Sequence, residues 1–285
     1  MRYDRVFTKL FCQPLLLESS FRIGLEMALL SVMQGSDIAP KFGARKIDKE
    51  RADMRSEDIL EIRGDTAIIH IDGAIDKNLS ALDRLCFNAT DLNDVDRALA
   101  RIESNNSIRN VMLAIDSPGG SVPGTPETAD RIAALCETRN VFAYGDQMCS
   151  AAYWLASQCD QIFAPRSASV GSIGVYLAIV DQSRRLEEMG VNMQVLQSGA
   201  LKTAGAPWKP LSEEERDHLQ DRVEQIGEMF RDAVTEKRPQ VKQASMEGQS
   251  MLGPAALKAG LIDAIVPSLE AALQEFPSAA FTSSR

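Results

Sequence analysis

The chain has 285 residues, 45% hydrophobic and 25% charged, a size and balance that allow one large globular domain with appendages. Its net charge of −9 excludes a broadly basic nucleic-acid surface, and no dense Lys/Arg cluster offsets it. The five cysteines (Cys12, Cys86, Cys136, Cys149, Cys159) are odd in number and unpaired in spacing, and the two histidines, His70 and His218, stand apart, so neither a disulfide framework, a metal centre nor a cofactor is expected.

The chain opens on an apolar run, Phe11–Leu17, interrupted by Pro14 and followed by Glu18, Arg22 and Glu26. It falls well short of the ~20 residues of a membrane span and lacks the order of a signal peptide, so a cytoplasmic protein without a membrane anchor is expected. Leu25, Ala28, Leu29, Val32 and Met33 fall at helical spacing behind Ser19 or Ser20, which predicts an amphipathic helix over 20–33 in an N-terminal arm, residues 1–34. Residues 35–62 are rich in charge without periodicity and read as a linker.

The body begins near Gly64. Ala67–Asp72 reads as a strand, and Leu92, Val95, Leu99 and Ile102 mark one face of a helix that ends by Asn105-Asn106. Val111–Asp116 is a nearly all-apolar run of the kind buried on both faces, and it stops at Ser117-Pro118-Gly119-Gly120. Thr125 is the predicted cap of a further helix, with Pro126 at its first position and Ala129, Ile132, Ala133 and Cys136 inward. Val141–Tyr144, Gln161–Ala164, Ile173–Tyr176 and Met193–Leu196 read as short strands, the last preceded by a helix ending at Gly190. This alternation predicts an α/β domain with a largely parallel sheet. Beyond it, Ser212 and Glu215 have capping-box spacing, and Leu219, Val223, Ile226, Phe230 and Val234 form a long amphipathic stripe. Residues 240–252 read as a polar loop, Gly253–Asp263 as a short helical segment turning at Gly260, and Ile262–Val266 as a candidate last strand. From Phe276 the tail reads as frayed.

The chemistry centres on Asp146-Gln147-Met148-Cys149-Ser150-Ala151-Ala152-Tyr153-Trp154-Leu155. A strand that turns sharply into a helix leaves the turn residue, here Ser150, where free N–H groups and the positive end of the helix dipole favour an anion. That marks Ser150 as a nucleophile. Cys149 is a rival, but its side chain in the same turn would point to the opposite side. A histidine-based triad is disfavoured: His70 lies inside an apolar run, His218 lies on a charged stretch, and there is no G-x-S-x-G elbow.

The remaining base is a lysine, since burial lowers the pKa of an amine and a neutral amine can take the hydroxyl proton. Lys202, in the small-residue segment Gln197–Pro207 that is poor in other charges, is the first candidate; Lys209, between Trp208 and Pro210, is the second. Acyl transfer also needs two oxyanion donors. Gly119 or Gly120, at the end of a buried strand, and the N–H of Ala151 can supply them, although Gly119-Gly120 alone suits a plain tight turn equally well.

Four blocks in order carry a resemblance: Ser117-Pro118-Gly119-Gly120-Ser121-Val122, Ser150–Ser157, Gly171-Ser172-Ile173-Gly174-Val175, and Ser198-Gly199 with Lys202. From about Ala67 to Val266 the chain resembles the signal peptide peptidase A family of serine peptidases, within the Clp-protease/crotonase superfamily. The resemblance implies an α/β fold, a Clp/crotonase-like spiral of repeated strand-strand-helix units over 63–267, with an N-terminal helical arm, C-terminal helices and a tail at 268–285. It implies a Ser-Lys dyad, with Ser150 as nucleophile, Lys202 as general base, Ser172 orienting that lysine, and Gly119 (or Gly120) with Ala151 as the oxyanion hole. It further implies protein or peptide substrates and a ring-like homo-oligomer in which the dyad can be shared between protomers.

Gln13–Glu18, Met148-Cys149-Ser150-Ala151 and Gly260-Leu261-Ile262-Asp263 look in addition like the head-maturation proteases of tailed phages and prophages, which cleave scaffold, portal or coat proteins in the procapsid. Some of those carry a scaffold extension, whereas this chain stops soon after Val266. The other readings are a soluble bacterial signal-peptide peptidase A-like enzyme, a crotonase-type acyl-thioester enzyme, and a non-catalytic assembly protein.

Overall fold

The structure, a computed structural model, describes residues 14–17, 59–79 and 89–275. The helix expected over 20–33, most of the charged linker and the tail from Phe276 lie outside them. The described residues divide into two compact units, the larger holding 16–17, 59–79, 89–174 and 230–275, the smaller 14–15 and 175–229.

In the larger unit the apolar runs become a sheet. Thr66–Asp72 (β3), Asn110–Ser117 (β6) and Asn140–Cys149 (β8) pair in parallel, with β6 in the middle. Val111 to Leu113 are fully buried because packed layers cover both sides of the strand. Leu60–Arg63 (β2) lies antiparallel to β3 at one edge, so the last residues of the predicted linker are strand. On its far side β8 has two neighbours in turn: Gln161–Ala164 (β9) beside Phe142–Tyr144, then Ser169–Gly171 (β10) beside Gln147–Cys149.

A second, four-stranded sheet runs Leu15–Leu17 (β1), Gly119–Ser121 (β7), Ile75–Asp76 (β4), Thr90–Asp91 (β5). Thus β3 continues into β4 and β6 into β7 before each chain segment enters a helix, Leu92–Glu103 (α1) and Thr125–Leu135 (α2). These are the strand-strand-helix units that the spiral requires. Asp91 caps α1 by accepting the Asn93 N–H at 2.9 Å. In α2 the cap falls one residue earlier than predicted, on Gly124 at φ +90, while Thr125 lies inside the helix and donates its hydroxyl to the Ser121 carbonyl at 2.8 Å.

Ala151–Ser157 (α3) follows β8 directly and is buried throughout. Two long-range contacts hold it: Trp154 stacks on Phe230 with centroids 4.5 Å apart, and the Tyr153 hydroxyl donates to the Leu261 carbonyl at 2.9 Å. Two residues beyond Leu261, Asp263 pairs with the buried Arg238 and accepts the Ile162 N–H at 2.7 Å. The segment Gly260–Asp263 therefore braces the helix that begins beside Ser150. It follows Gly253–Ala259 (α6), which ends at Gly260 with φ +79.

Three expectations need correction here. The predicted loop 240–252 contains a strand, Ser250–Leu252 (β11), antiparallel to β10. Beyond a two-residue strand Ala264–Ile265 (β12), the predicted tail contains a helix, Leu269–Glu275 (α7), whose Ala272 packs with Met112, Phe142 and Phe163 on the sheet. Ile173–Tyr176 is not a strand; only Tyr176 forms a bridge, to Leu15.

The smaller unit contains Ser183–Glu188 (α4), a 3-10 turn at Ala200–Thr203 and residues 213–229 of the long helix Glu213–Lys237 (α5). The capping box forms: the Glu215 N–H donates to Ser212 Oγ at 3.3 Å and the Ser212 N–H to Glu215 Oε2 at 3.1 Å. The strand predicted at Met193–Leu196 is absent. These residues have no strand partner among the described residues, and Leu196 is fully exposed.

Candidate active site

Ser150 is where the strand-to-helix turn was expected. Its backbone sits at φ +55, ψ −118, between the end of β8 and the start of α3, and the residue is 1% exposed. Its N–H donates to the Gly171 carbonyl at 2.8 Å and its Oγ lies 3.5 Å from the Gly174 carbonyl. The first helical bond of α3 runs from the Trp154 N–H to the Ser150 carbonyl, 2.9 Å, so the N–H groups of Ala151, Ala152 and Tyr153 precede the helical ladder. Cys149 turns the other way: it is buried, with its Sγ 3.5 Å from the Ser169 carbonyl.

The two glycines have different reasons to be glycine. A Cβ on Gly119, at φ +105, would lie 2.1 Å from the Leu16 carbonyl oxygen, 2.9 Å from that of Cys149 and 2.9 Å from Ser150 Cβ. Its backbone is thus wedged against the candidate nucleophile. A Cβ on Gly120 would lie 1.7 Å from the Ile75 carbonyl oxygen, so that glycine serves the close approach of β4 to β7. The Gly119 N–H donates to Ser117 Oγ at 3.1 Å, and Ser117 is fully buried. Sequence reasoning places Ser117 in the first motif block but gives it no role, because only the tertiary turn shows which backbone group its hydroxyl meets.

Ser172 belongs to the same unit as Ser150. It sits at φ +51, is buried, and its N–H donates to the Gln249 carbonyl at 2.8 Å, which ties it to the residue before β11. Lys202 belongs to the smaller unit, exposed on the 3-10 turn. Gln197 braces that turn, donating to the Ala200 carbonyl at 3.2 Å and accepting the Thr203 hydroxyl at 2.7 Å. The second lysine, Lys209, is engaged with the buried carboxylate of Glu215, whose pKa that ammonium holds below the usual carboxylate range. His70 lies 3.5 Å from Glu61 on the neighbouring strand, and His218 is exposed on α5. Among the described residues no helix is long and apolar enough to cross a membrane.

A family model for peptidase family S49 matches residues 134–277, half of the chain, taking in Ser150, Ser172 and Lys202. The chain belongs to peptidase family S49. Two phage proteins are similar to this member over most of its length. The head-tail preconnector protein GP5 of Enterobacteria phage P21 is 28% identical over 94% of this chain and 56% of its own. Capsid assembly protease C of Escherichia phage lambda is 29% identical over 74% of this chain and 48% of its own. A putative signal peptide peptidase SppA of Enterococcus faecium is 30% identical over 59% of this chain and 50% of its own. The chain spans about half the length of the curated relatives it matches.

Proposed function

We propose that this S49 member is a serine endopeptidase that works through an acyl-enzyme on Ser150. One observation carries the reading: a buried serine, held at positive φ on the first turn of a buried helix, with a glycine backbone wedged against its Cβ. In this scheme Ser150 Oγ attacks the scissile carbonyl and its proton passes to the amine of Lys202. Gly119 and Ala151 donate to the oxyanion, Gly120 supports the loop, and Ser172 orients the lysine. The amine then protonates the leaving nitrogen, and water attacking the ester releases the second product.

An amine works as a base only when it is desolvated. Lys202 is exposed on the single chain, so the scheme requires substrate or a neighbouring copy of the chain to cover it. The test is labelling by a fluorophosphonate probe. It should be lost in both Ser150→Ala and Lys202→Ala, and a Lys202→Met protein with full turnover would sink the dyad. Mixing the two inactive variants separates the assemblies: restored labelling means a lysine shared between copies, and none means a dyad within one chain.

The substrate class we infer is the structural protein of a phage procapsid: scaffold, portal or coat. The reading is favoured by the reach of the two phage relatives, 94% and 74% of the chain, against 59% for the signal peptide peptidase. Mass spectrometry of the wild type and Ser150→Ala with a candidate scaffold protein tests it. Cleavage of unstructured peptides with the scaffold left intact would favour a signal-peptide-degrading enzyme instead.

A further inference from the structure

We infer that Ser117 is a positioning residue of the oxyanion loop, one that keeps the Gly119 N–H satisfied until an anionic oxygen arrives to take it. The inference rests on the reading of Ser150 as nucleophile and Gly119 as donor, and adds a residue that reading does not use. Ser117 closes β6 and is fully buried. Its Oγ accepts the Gly119 N–H at 3.1 Å and lies 3.5 Å from the Gly119 carbonyl oxygen, so one hydroxyl addresses both polar groups of that residue. Meanwhile the Gly119 backbone is hemmed in by the carbonyls of Leu16 and Cys149 and by Ser150 Cβ. The peptide is held against Ser150, and what can change is the partner of its N–H.

The consequence follows from relative hydrogen-bond strengths. A buried N–H left without an acceptor is costly, and Ser117 removes that cost in the free protein. A neutral substrate carbonyl gains little by displacing a neutral hydroxyl. A tetrahedral oxyanion gains more, because a charge-assisted hydrogen bond is roughly twice as strong as a neutral one. Ser117 thereby competes with a neutral carbonyl for the donor and yields it to the oxyanion, at the expense of its own hydrogen bond to Gly119.

Removing the hydroxyl should therefore have two effects of opposite sign. Ser117→Ala leaves the Gly119 N–H orphaned in the free protein, which lowers the melting temperature, while any ligand oxygen at that site binds without competition. A serine that only fills space would lower stability and leave ligand capture unchanged or weaker.

The experiment uses the full chain and a fluorophosphonate. In that reaction Ser150 Oγ bonds to phosphorus, fluoride leaves, the hydroxyl proton passes to the general base, and the phosphoryl oxygen turns to the donors. We expect labelling of Ser117→Ala about five-fold faster than wild type, equivalent to about 1 kcal/mol at 1.4 kcal/mol per tenfold, together with a lower melting temperature. Ser117→Cys, close in shape and a weak acceptor, should fall between the two and serves if the alanine variant does not fold. Ser150-dependent labelling that is unchanged or slower in the variant that folds overturns the role of Ser117 and leaves the nucleophile standing. Labelling that is absent in the wild type, or that persists in Ser150→Ala, overturns the nucleophile reading and this inference with it.

Discussion

At φ +55 and ψ −118, Ser150 occupies a conformation that residues other than glycine rarely adopt, and Ser172 shares the positive φ, at +51. Such conformations cost on the order of 1–3 kcal/mol and persist where the surrounding structure enforces them. Ser150→Gly should therefore be inert to the probe yet more stable than wild type by about 1 kcal/mol in denaturant unfolding, the strain relief outweighing the extra freedom of glycine. A loss of stability would show that the turn is not strained. Gly119→Ala should act in the opposite way. Its Cβ meets two backbone oxygens and Ser150 itself, so the donor must move, and labelling should slow by about 100–1,000-fold. Asp116 gives the pH prediction. Burial pushes its carboxyl above the ordinary 3.8, and the charges of Asp72 and Asp146, on the neighbouring strands, add to the rise. The folded chain thus holds this proton more tightly than the unfolded chain. The contribution to stability is full below the unfolded value and is lost as pH rises through the folded one. Asp116→Asn should therefore melt slightly above wild type at pH 7, and the difference should vanish near pH 3, below the unfolded value.

Elements differ in how far they announce themselves. The Ser212–Glu215 capping box was legible because both partners lie within one turn, and Ser212→Ala should cost about 1 kcal/mol, read as a drop in denaturation midpoint. α3 is short and could not stand alone. Its register depends on Trp154 stacking with Phe230 and on Tyr153 reaching the Leu261 carbonyl, contacts separated by tens of residues in the chain. Phe230→Ala should cost about 3–5 kcal/mol and should slow labelling of Ser150, because the helix it braces begins at Ala151. Unaltered labelling would mean that α3 is held without the stack. Met193–Leu196 fails as a strand for the converse reason: alternation and β-propensity supply a preference, but a strand exists only against a neighbour. Ser250–Leu252, only three residues long, is a strand because β10 offers it an edge.

At the scale of the molecule, copies of a chain with net charge −9 repel one another. If assembly is needed to cover Lys202, raising salt from about 0.05 to 0.3 M should strengthen self-association in sedimentation and raise labelling with it, as the screening length shortens. Association that weakens with salt would point to specific ion pairs between copies. The alternating runs from Thr66 to Ala164, the strand-to-helix turn at Ser150 and the lysine of the charge-poor segment were determined by sequence alone, because periodicity, helix-start chemistry and charge are properties of neighbouring residues. Tertiary structure alone decided that Gly119 faces Ser150 while Gly120 faces Ile75, that Lys209 is held by Glu215, and that Ser117 holds the Gly119 N–H. Those outcomes depend on which backbone oxygens and side chains the folded sheet brings within a few ångströms, and no pattern along the chain encodes such distances.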